Sequence, residues 1–188
     1  SLVPFAASSI PLVTLGTFLL WFGWFGFNGF SQLAMGTFDD VNAISKIAVN
    51  THLAGAAGTV AAAVVTRLLG GKTDIVMMLN GALAGLVAIT AEPLTPSPVL
   101  AIVIGAIGSL IMYFGTKFLE SKKIDDVVGA IPVHMFAGIF GTLVVPISNP
   151  DTNFGTQLTG VIAVCLFSFI LSYITFRALK QTIGLRIS

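Results

Sequence analysis

Six long apolar stretches account for most of the chain, and short charged or turn-forming segments such as GGKTD and ESKKIDD separate them. Their approximate limits are 12–34, 43–69, 75–90, 99–119, 127–147 and 154–179. A helix needs about 20 apolar residues to cross a hydrocarbon core of about 30 Å. These stretches are too long and too uniformly apolar for the alternating strands of about 10 residues in membrane barrels. The sequence therefore predicts an all-α integral membrane protein with about six transmembrane helices.

The charge content supports the same class of protein. Charged residues make up 9% of the 188 residues and hydrophobic residues make up 55%, whereas soluble domains carry about 25% charged residues. The lipid bilayer is therefore an expected partner. The formal net charge is +1 and the nine basic residues are spread along the chain, so we expect no nucleic-acid partner.

The basic residues also predict an orientation, because loops on the cytoplasmic side collect lysine and arginine. If six helices alternate across the bilayer, Lys46 lies on one side and the other eight basic residues lie on the opposite side. We therefore expect a multi-pass protein of the inner or plasma membrane with both ends of this segment in the cytoplasm. The first residues lack a basic n-region, so we expect no signal peptide and a chain that enters in mid-protein.

Small residues recur in the middle four stretches. Gly81 and Gly85 have GxxxG spacing, and Gly105, Gly108, Gly138 and Gly141 continue the pattern. In lipid, helices associate by close backbone approach, which small residues at this spacing allow. The pattern predicts a compact bundle, in which a channel would have to be narrow.

Two histidines are the main ionisable residues within the apolar stretches. His134 lies nine residues after Asp125, and a helix beginning there would place it about 13 Å deep, near the bilayer midplane. His52 lies nearly as deep on its own helix. An imidazole suits a membrane pathway because it accepts, donates and transfers protons; a packing histidine bonded to a carbonyl is the alternative. Asp125 and Asp126 fit a helix cap better than a catalytic pair.

No other chemistry is indicated. The two histidines have no neighbouring carboxylates with metal-ligand spacing, and the sequence has no nucleophile elbow or phosphate-binding loop. We therefore predict no metal, no cofactor, no catalytic residue and no enzymatic activity. The single cysteine, Cys165, lies in an apolar stretch, where a packed small side chain is expected.

Aromatic residues crowd the stretch LLWFGWFGFNGF, residues 19–30. On a helix, Trp24, Phe27 and Ser31 share one face at i, i+3 and i+7. Ring faces attract cations and a hydroxyl accepts hydrogen bonds from them, so this face suits cation recruitment. The alternative is an aromatic belt at the membrane interface. The glycines of this stretch are expected to let neighbouring helices approach closely.

Three segments, GWFGFN, NGALAGLVAIT and IDDVVGAIPVHMFAGIFGTL, resemble the ammonium transporter family (Amt, Mep and Rh proteins). The tail GLRIS resembles the beginning of that family's cytosolic C-terminal region. The resemblance covers essentially the whole chain. It implies a subunit of eleven helices, built as two inverted five-helix repeats plus a final helix, with one pore per subunit in a homotrimer. Residues 1–188 then correspond to helices six to eleven, the C-terminal half of the membrane domain.

The resemblance also implies roles for individual residues. Trp24 resembles a pore-lining tryptophan, and Phe27 resembles one of two stacked gate phenylalanines. Ser31 resembles the outer serine that accepts a hydrogen bond from ammonium, and His134 resembles the second of two paired pore histidines. His52 has no counterpart among the pore residues, so we expect it to pack.

Five positions depart from the family pattern. Gly129 replaces an aspartate, Phe30 stands where glycine is frequent, and Phe140 replaces a common tryptophan. Pro132 and Met135 flank His134 where glycine is usual. Bulk at Phe30 and Met135 is expected to narrow the pathway.

The expected function is transport of ammonium or ammonia through a hydrophobic pore with a histidine at mid-depth. The alternatives are an ammonium-sensing membrane domain coupled to a signalling output, and an incomplete, non-conducting fragment. The expected partners are ammonium, the N-terminal half of the same fold, further copies in a homotrimer, and a PII-type signal protein or a fused signalling domain.

Overall fold

The computed structural model describes residues 8–185, and this part of the chain is helical with short connections. The helices are α1 (Ile10–Gly29), α2 (Phe38–Gly70), α3 (Ile75–Thr90), α4 (Pro98–Ser121), α5 (Ala137–Leu143) and α6 (Phe154–Thr182). A π-helical turn, Ile131–Phe136, leads directly into α5, and short 3-10 turns follow α1 and α5. Residues 1–7 and 186–188, the latter being the last three residues of GLRIS, lie outside the described residues.

Each of the six apolar stretches contains a helix, which confirms the predicted all-α class. Four helices, α1, α2, α4 and α6, are long and apolar enough to cross a membrane. The other two apolar helices are shorter and cover Ile75–Thr90 and Ile131–Ile147. The predicted start of the fifth helix at residue 127 is wrong, because residues 127–129 form a turn.

Polar side chains set the beginnings of the long helices. At each of these positions a side-chain oxygen accepts a hydrogen bond from a backbone N–H of the first turn, as N-cap residues do. The capping residues of α1, α2, α3, α4 and α6 are Ser9, Thr37, Asp74, Ser97 and Asn153. The helix α2 ends at Gly70, and the next residue, Gly71, has a φ of 76°, the left-handed conformation that glycine favours.

The centre of the fold is the contact between α2, α3 and α4, where glycines replace side chains. A Cβ atom on Gly85 or on Gly105 would overlap the carbonyl oxygen of Ala54, and a Cβ on Gly58 would overlap that of Gly81. The hydroxyl of Ser109 in α4 donates to the Gly58 carbonyl at 2.7 Å. The GxxxG prediction is therefore confirmed for this contact, in which backbone meets backbone.

The remaining helices pack around these three. Gly141 brings α5 against α3, because a Cβ there would overlap the Ala88 carbonyl oxygen. Gly138 has no such role, since a Cβ there would lie 3.6 Å from Val87, an ordinary contact. Asn50 of α2 is fully buried and donates to the Pro93 and Pro96 carbonyls at 2.9 Å. The helix α6 has no buried residue, and Cys165 on it is half-buried.

The substitution Gly105→Ala tests the central contact. The added methyl group must displace the Ala54 backbone, and overpacking of this kind costs about 1–3 kcal/mol. We expect a lower melting temperature of the detergent-solubilised complete protein, measured by loss of the folded peak in size-exclusion chromatography. Gly160→Ala is the matched control, because a Cβ at Gly160 in α6 meets nothing within 4 Å. Equal melting temperatures for the two variants would contradict the assigned packing.

Candidate functional site

Two of the predicted site residues lie side by side on α1. The ring centroids of Trp24 and Phe27 are 5.8 Å apart, with the ring planes at 55°. Trp24 is half-buried and its indole Nε1 donates to the Thr90 hydroxyl of α3 at 2.8 Å. Phe27 is exposed over 68% of its surface. The indole also packs against a core cluster of Leu83, Ala84, Leu86, Met112, Val133 and Ala137.

Ser31 lies just beyond the end of α1. The α-helix ends at Gly29, and residues Phe30–Gln32 form a 3-10 turn that Leu33 terminates with a φ of 58°. The Ser31 hydroxyl donates to the Asn28 carbonyl oxygen at 2.5 Å, and the residue is exposed. The α-helical i+7 spacing from Trp24 therefore does not extend to Ser31, and its place on the same face remains a prediction.

Asn28 holds this end of α1 to α2. Its side chain is buried, with 1% of the residue exposed, and its Nδ2 donates to the Thr51 hydroxyl at 3.0 Å. Within residues 8–185, its Oδ1 has no hydrogen-bond partner. A buried amide oxygen without a partner costs free energy. The hydrogen bond to Thr51 joins this end of α1 to α2.

His134 lies in the π-helical turn, and its side chain is exposed. The helix start assumed at Asp125 is wrong, because the helix begins at residue 130, and the position of His134 near the bilayer midplane remains a prediction. Asp126 caps this beginning, with its two carboxylate oxygens accepting from the backbone N–H groups of Ala130 and Ile131 at 2.9 and 2.8 Å. The predicted capping role is thus confirmed for Asp126. π-Helical turns are rare and occur frequently at functional sites.

Gly129 makes the turn into this helix possible. Its φ of 75° is a conformation that other residues rarely adopt, and a Cβ there would lie 2.8 Å from Asn80 Nδ2. Asn80 of α3 in turn donates to the Val128 carbonyl at 3.2 Å. Gly129 therefore serves the backbone turn, while Asp126 supplies the carboxylate cap.

His52 packs against α1. Its ring centroid lies 5.5 Å from that of Trp21 and 6.2 Å from that of Phe25, with the Phe25 ring nearly parallel to it. His52 lies beside these two rings but is itself exposed, so its packing role remains a prediction. Trp21 is a neighbour of Gly55 as well, where a Cβ would lie 2.9 Å from the indole.

The glycines of the aromatic stretch do not mark close helix contacts in the described chain. A Cβ at Gly23 would meet nothing within 4 Å, and a Cβ at Gly26 would meet only the ring of Phe30. Phe30 therefore lies back over Gly26 while 77% of it is exposed. Met135, beside His134, is 45% exposed, so the effect of these two side chains on a pathway remains a prediction.

Sequence reasoning missed Thr90, which contacts the predicted site most directly. Threonine is common in membrane helices, where its hydroxyl usually bonds to the carbonyl four residues earlier. Thr90 makes that bond, to Leu86, and also accepts from Trp24. The only signal in the sequence is its position at the end of NGALAGLVAIT, and that signal does not identify a partner 66 residues away.

The four long apolar helices and the glycine-mediated core define a multi-pass membrane protein. Residues 3–188 match the Ammonium Transporter Family, and the chain belongs to that family. It is 39% identical to ammonium transporter Amt2 of Archaeoglobus fulgidus over 96% of this chain and 42% of the relative. It is 39% identical to a putative ammonium transporter of Synechocystis, sll0537, over 96% of this chain and 34% of the relative.

Solved structures give the same assignment. The fold superposes on a structure titled Sensor Amt Protein with a TM-score of 0.88 at 37% identity, covering 96% of this chain and 46% of that one. It superposes on Candida albicans Mep2 with a TM-score of 0.88 at 26% identity, covering 100% of this chain and 45% of that one. The chain therefore spans about half the length of the proteins it matches, as the resemblance implied.

The substitution Gly129→Ala tests the turn before His134. It forces an L-residue into a left-handed conformation, which costs about 1–2 kcal/mol, and adds the contact with Asn80. Gly71→Ala is the matched control, because Gly71 has a φ of 76° with nothing within 4 Å. We expect a larger drop in melting temperature for Gly129→Ala than for Gly71→Ala, partly restored by adding Asn80→Ala. A drop no larger than that of Gly71→Ala would show that Asn80 does not constrain the turn.

Proposed function

We propose that the complete protein moves ammonium or ammonia across a membrane, and that this chain forms one side of the hydrophobic pathway. The observation that carries the proposal is the 39% identity to an ammonium transporter over 96% of this chain. The side chains of α1, of the 3-10 turn that follows it and of the π-helical turn supply three functions that such a pathway requires: recruitment, desolvation and proton handling.

Recruitment falls to Ser31. An ammonium ion has only N–H donors, so an outer binding point must offer acceptors. The Ser31 hydroxyl proton is directed to the Asn28 carbonyl, which leaves the oxygen lone pairs available. Because the residue is exposed at the end of α1, a cation can reach it without displacing a neighbouring helix of this chain.

Trp24 and Phe27 receive the ion after Ser31. Ring faces attract a cation within about 6 Å of the ring centroid, and the attraction is larger when water is excluded. The two rings are inclined to each other at 55°, so they present faces in two directions. The exposed Phe27 ring is the proposed gate, and the half-buried Trp24 ring is the proposed wall behind it.

His134 handles the proton. A full cation in a narrow apolar passage loses hydration that aromatic rings replace only in part, whereas neutral ammonia loses much less. Separation of the proton from ammonia therefore lowers the barrier to passage. A neutral imidazole accepts a proton at one nitrogen and donates from the other, and we assign this role to the exposed side chain of His134.

The exposed apolar surface of α1 fits an arrangement in which the other half of the protein completes the pathway. We propose that residues 1–188 form the C-terminal half of one membrane domain, with both ends of the segment in the cytoplasm. The complete subunits assemble as homotrimers. A PII-type signal protein or a fused signalling domain is the proposed partner at the cytoplasmic side, where seven of the eight lysines and arginines assigned to that side lie within residues 8–185.

Ammonium sensing is the second candidate function. It is favoured by the similarity to the structure titled Sensor Amt Protein, at 37% identity. A sensor requires the binding point at Ser31 but not an open pathway, so the exposed Phe30 and Met135 would be tolerated. Binding of ammonium without uptake distinguishes this candidate from transport.

The substitution His134→Ala in the complete protein tests the proposed transport. Loss of the proton-handling group is expected to lower the initial rate of labelled methylammonium uptake into proteoliposomes by about tenfold or more. His52→Ala is the control, because that exposed histidine lies beside the Trp21 and Phe25 rings and is given no role in the proposed pathway. Uptake that is absent before mutation, with ammonium binding intact, would replace transport by sensing. Equal losses for the two histidine variants would contradict the role of His134.

A further inference from the structure

The hydroxyl group of Thr90 joins two helices and uses both of its hydrogen-bonding capacities. Its oxygen accepts from the indole Nε1 of Trp24 at 2.8 Å, and its proton is donated to the Leu86 carbonyl at 2.7 Å. A carbonyl oxygen only accepts and an indole nitrogen only donates. The direction of both hydrogen bonds is therefore fixed: the Thr90 hydroxyl accepts from Trp24 and donates to Leu86.

The bond to Trp24 distinguishes Thr90 from Thr14, Thr59 and Thr142, while Thr51 also accepts from another helix, from the amide of Asn28 rather than from a ring. Thr14, Thr59 and Thr142 also donate to the carbonyl four residues earlier, at 2.9–3.0 Å. That bond alone is ordinary in membrane helices. Of these four threonines, Thr90 is the one whose hydroxyl also accepts a hydrogen bond from another helix. This bond links the end of α3 to the Trp24 ring, the proposed pathway wall.

We propose that Thr90 is a positioning residue that withdraws the indole N–H of Trp24 from the pathway and leaves only the ring face exposed to the substrate. The proposal rests on the proposed function of the site. Trp24 has a single hydrogen-bond donor, and Thr90 occupies it. The core cluster that includes Leu86, Met112 and Val133 packs against the indole, so the hydrogen bond and the packing together set the tilt of the ring.

The chemical consequence concerns neutral ammonia. Its nitrogen lone pair is a strong acceptor, and a free indole N–H in an apolar passage would donate to it. Passage requires sites that bind weakly enough for the substrate to leave. A ring face attracts the N–H groups of either ammonium or ammonia but does not engage the lone pair. The hydrogen bond to Thr90 therefore prevents the Trp24 indole N–H from binding ammonia tightly, and ammonia is the species that the pathway is proposed to conduct.

The test compares Thr90→Val with Thr90→Ser in the complete protein. Valine keeps the shape of threonine without the acceptor, whereas serine keeps the hydroxyl. We expect Thr90→Val to lower the maximal rate of methylammonium uptake by about five- to tenfold with a smaller change in KM. Thr90→Ser should stay within about twofold of the unmodified protein. Thr59→Val is the control for loss of an ordinary bond to the preceding turn, and it should leave the uptake rate unchanged.

The hydrogen bond itself has a spectroscopic readout. Ultraviolet resonance Raman spectra contain an indole band that shifts when the N–H loses its acceptor, and a difference spectrum against Trp24→Phe isolates the Trp24 signal. The band should shift in Thr90→Val and not in Thr90→Ser. Equal loss of uptake in both Thr90 variants, or unaltered uptake in Thr90→Val, would overturn the proposal. If the unmodified protein shows no uptake, the proposed function fails, and the Raman band alone decides whether Thr90 holds the indole.

Discussion

Direct contact between helix backbones in α2, α3 and α4 is the constraint on which the rest of this structure depends. Lipid chains are as apolar as leucine, so burial of apolar side chains cannot by itself hold membrane helices together. Close approach at Gly58, Gly85 and Gly105 supplies van der Waals contact instead, and Ser109 adds a hydrogen bond to the Gly58 carbonyl. The three helices form a fixed frame because no flexible side chain separates them.

The side chains assigned to the proposed pathway lie outside that frame and are attached to it by hydrogen bonds. Trp24 is held by Thr90, Asn28 by Thr51, and the turn before His134 by Asn80 through the Val128 carbonyl. Each of these hydrogen bonds joins a side chain to a different helix or turn, and the Asn28–Thr51 bond is buried. The result is a rigid frame that presents an aromatic helix and a histidine turn on exposed surfaces. This arrangement suits a pathway completed by a second half of the protein.

The number of helices was predictable from the sequence because the bilayer thickness sets the length of an apolar stretch that spans it. Such stretches are visible in the sequence. The fifth helix shows where this signal ends. Hydrophobicity continues through Val127 and Val128, but the left-handed Gly129 and the Asp126 cap begin the helix only at residue 130. Composition does not distinguish an apolar turn from an apolar helix, and the helix start assumed for the depth of His134 was wrong for that reason.

Contacts between helices were predictable only in part. Gly138 and Gly141 look equivalent in the sequence, yet only Gly141 meets the α3 backbone, because helix rotation decides which glycine faces the neighbour. The hydrogen bonds from Trp24 and Asn28 join residues 66 and 23 positions apart. Residue spacing along one helix contains no information about such partners. The family resemblance supplied the site residues, while the structure supplied the groups that hold them.

The most direct test of the central claim is a stopped-flow measurement of internal pH in proteoliposomes that contain the complete protein. When an ammonium gradient is imposed, the account predicts an internal pH change that is faster than in protein-free liposomes and scales with the amount of protein. A rate equal to that of protein-free liposomes, from protein that is folded and still binds ammonium, would contradict the account.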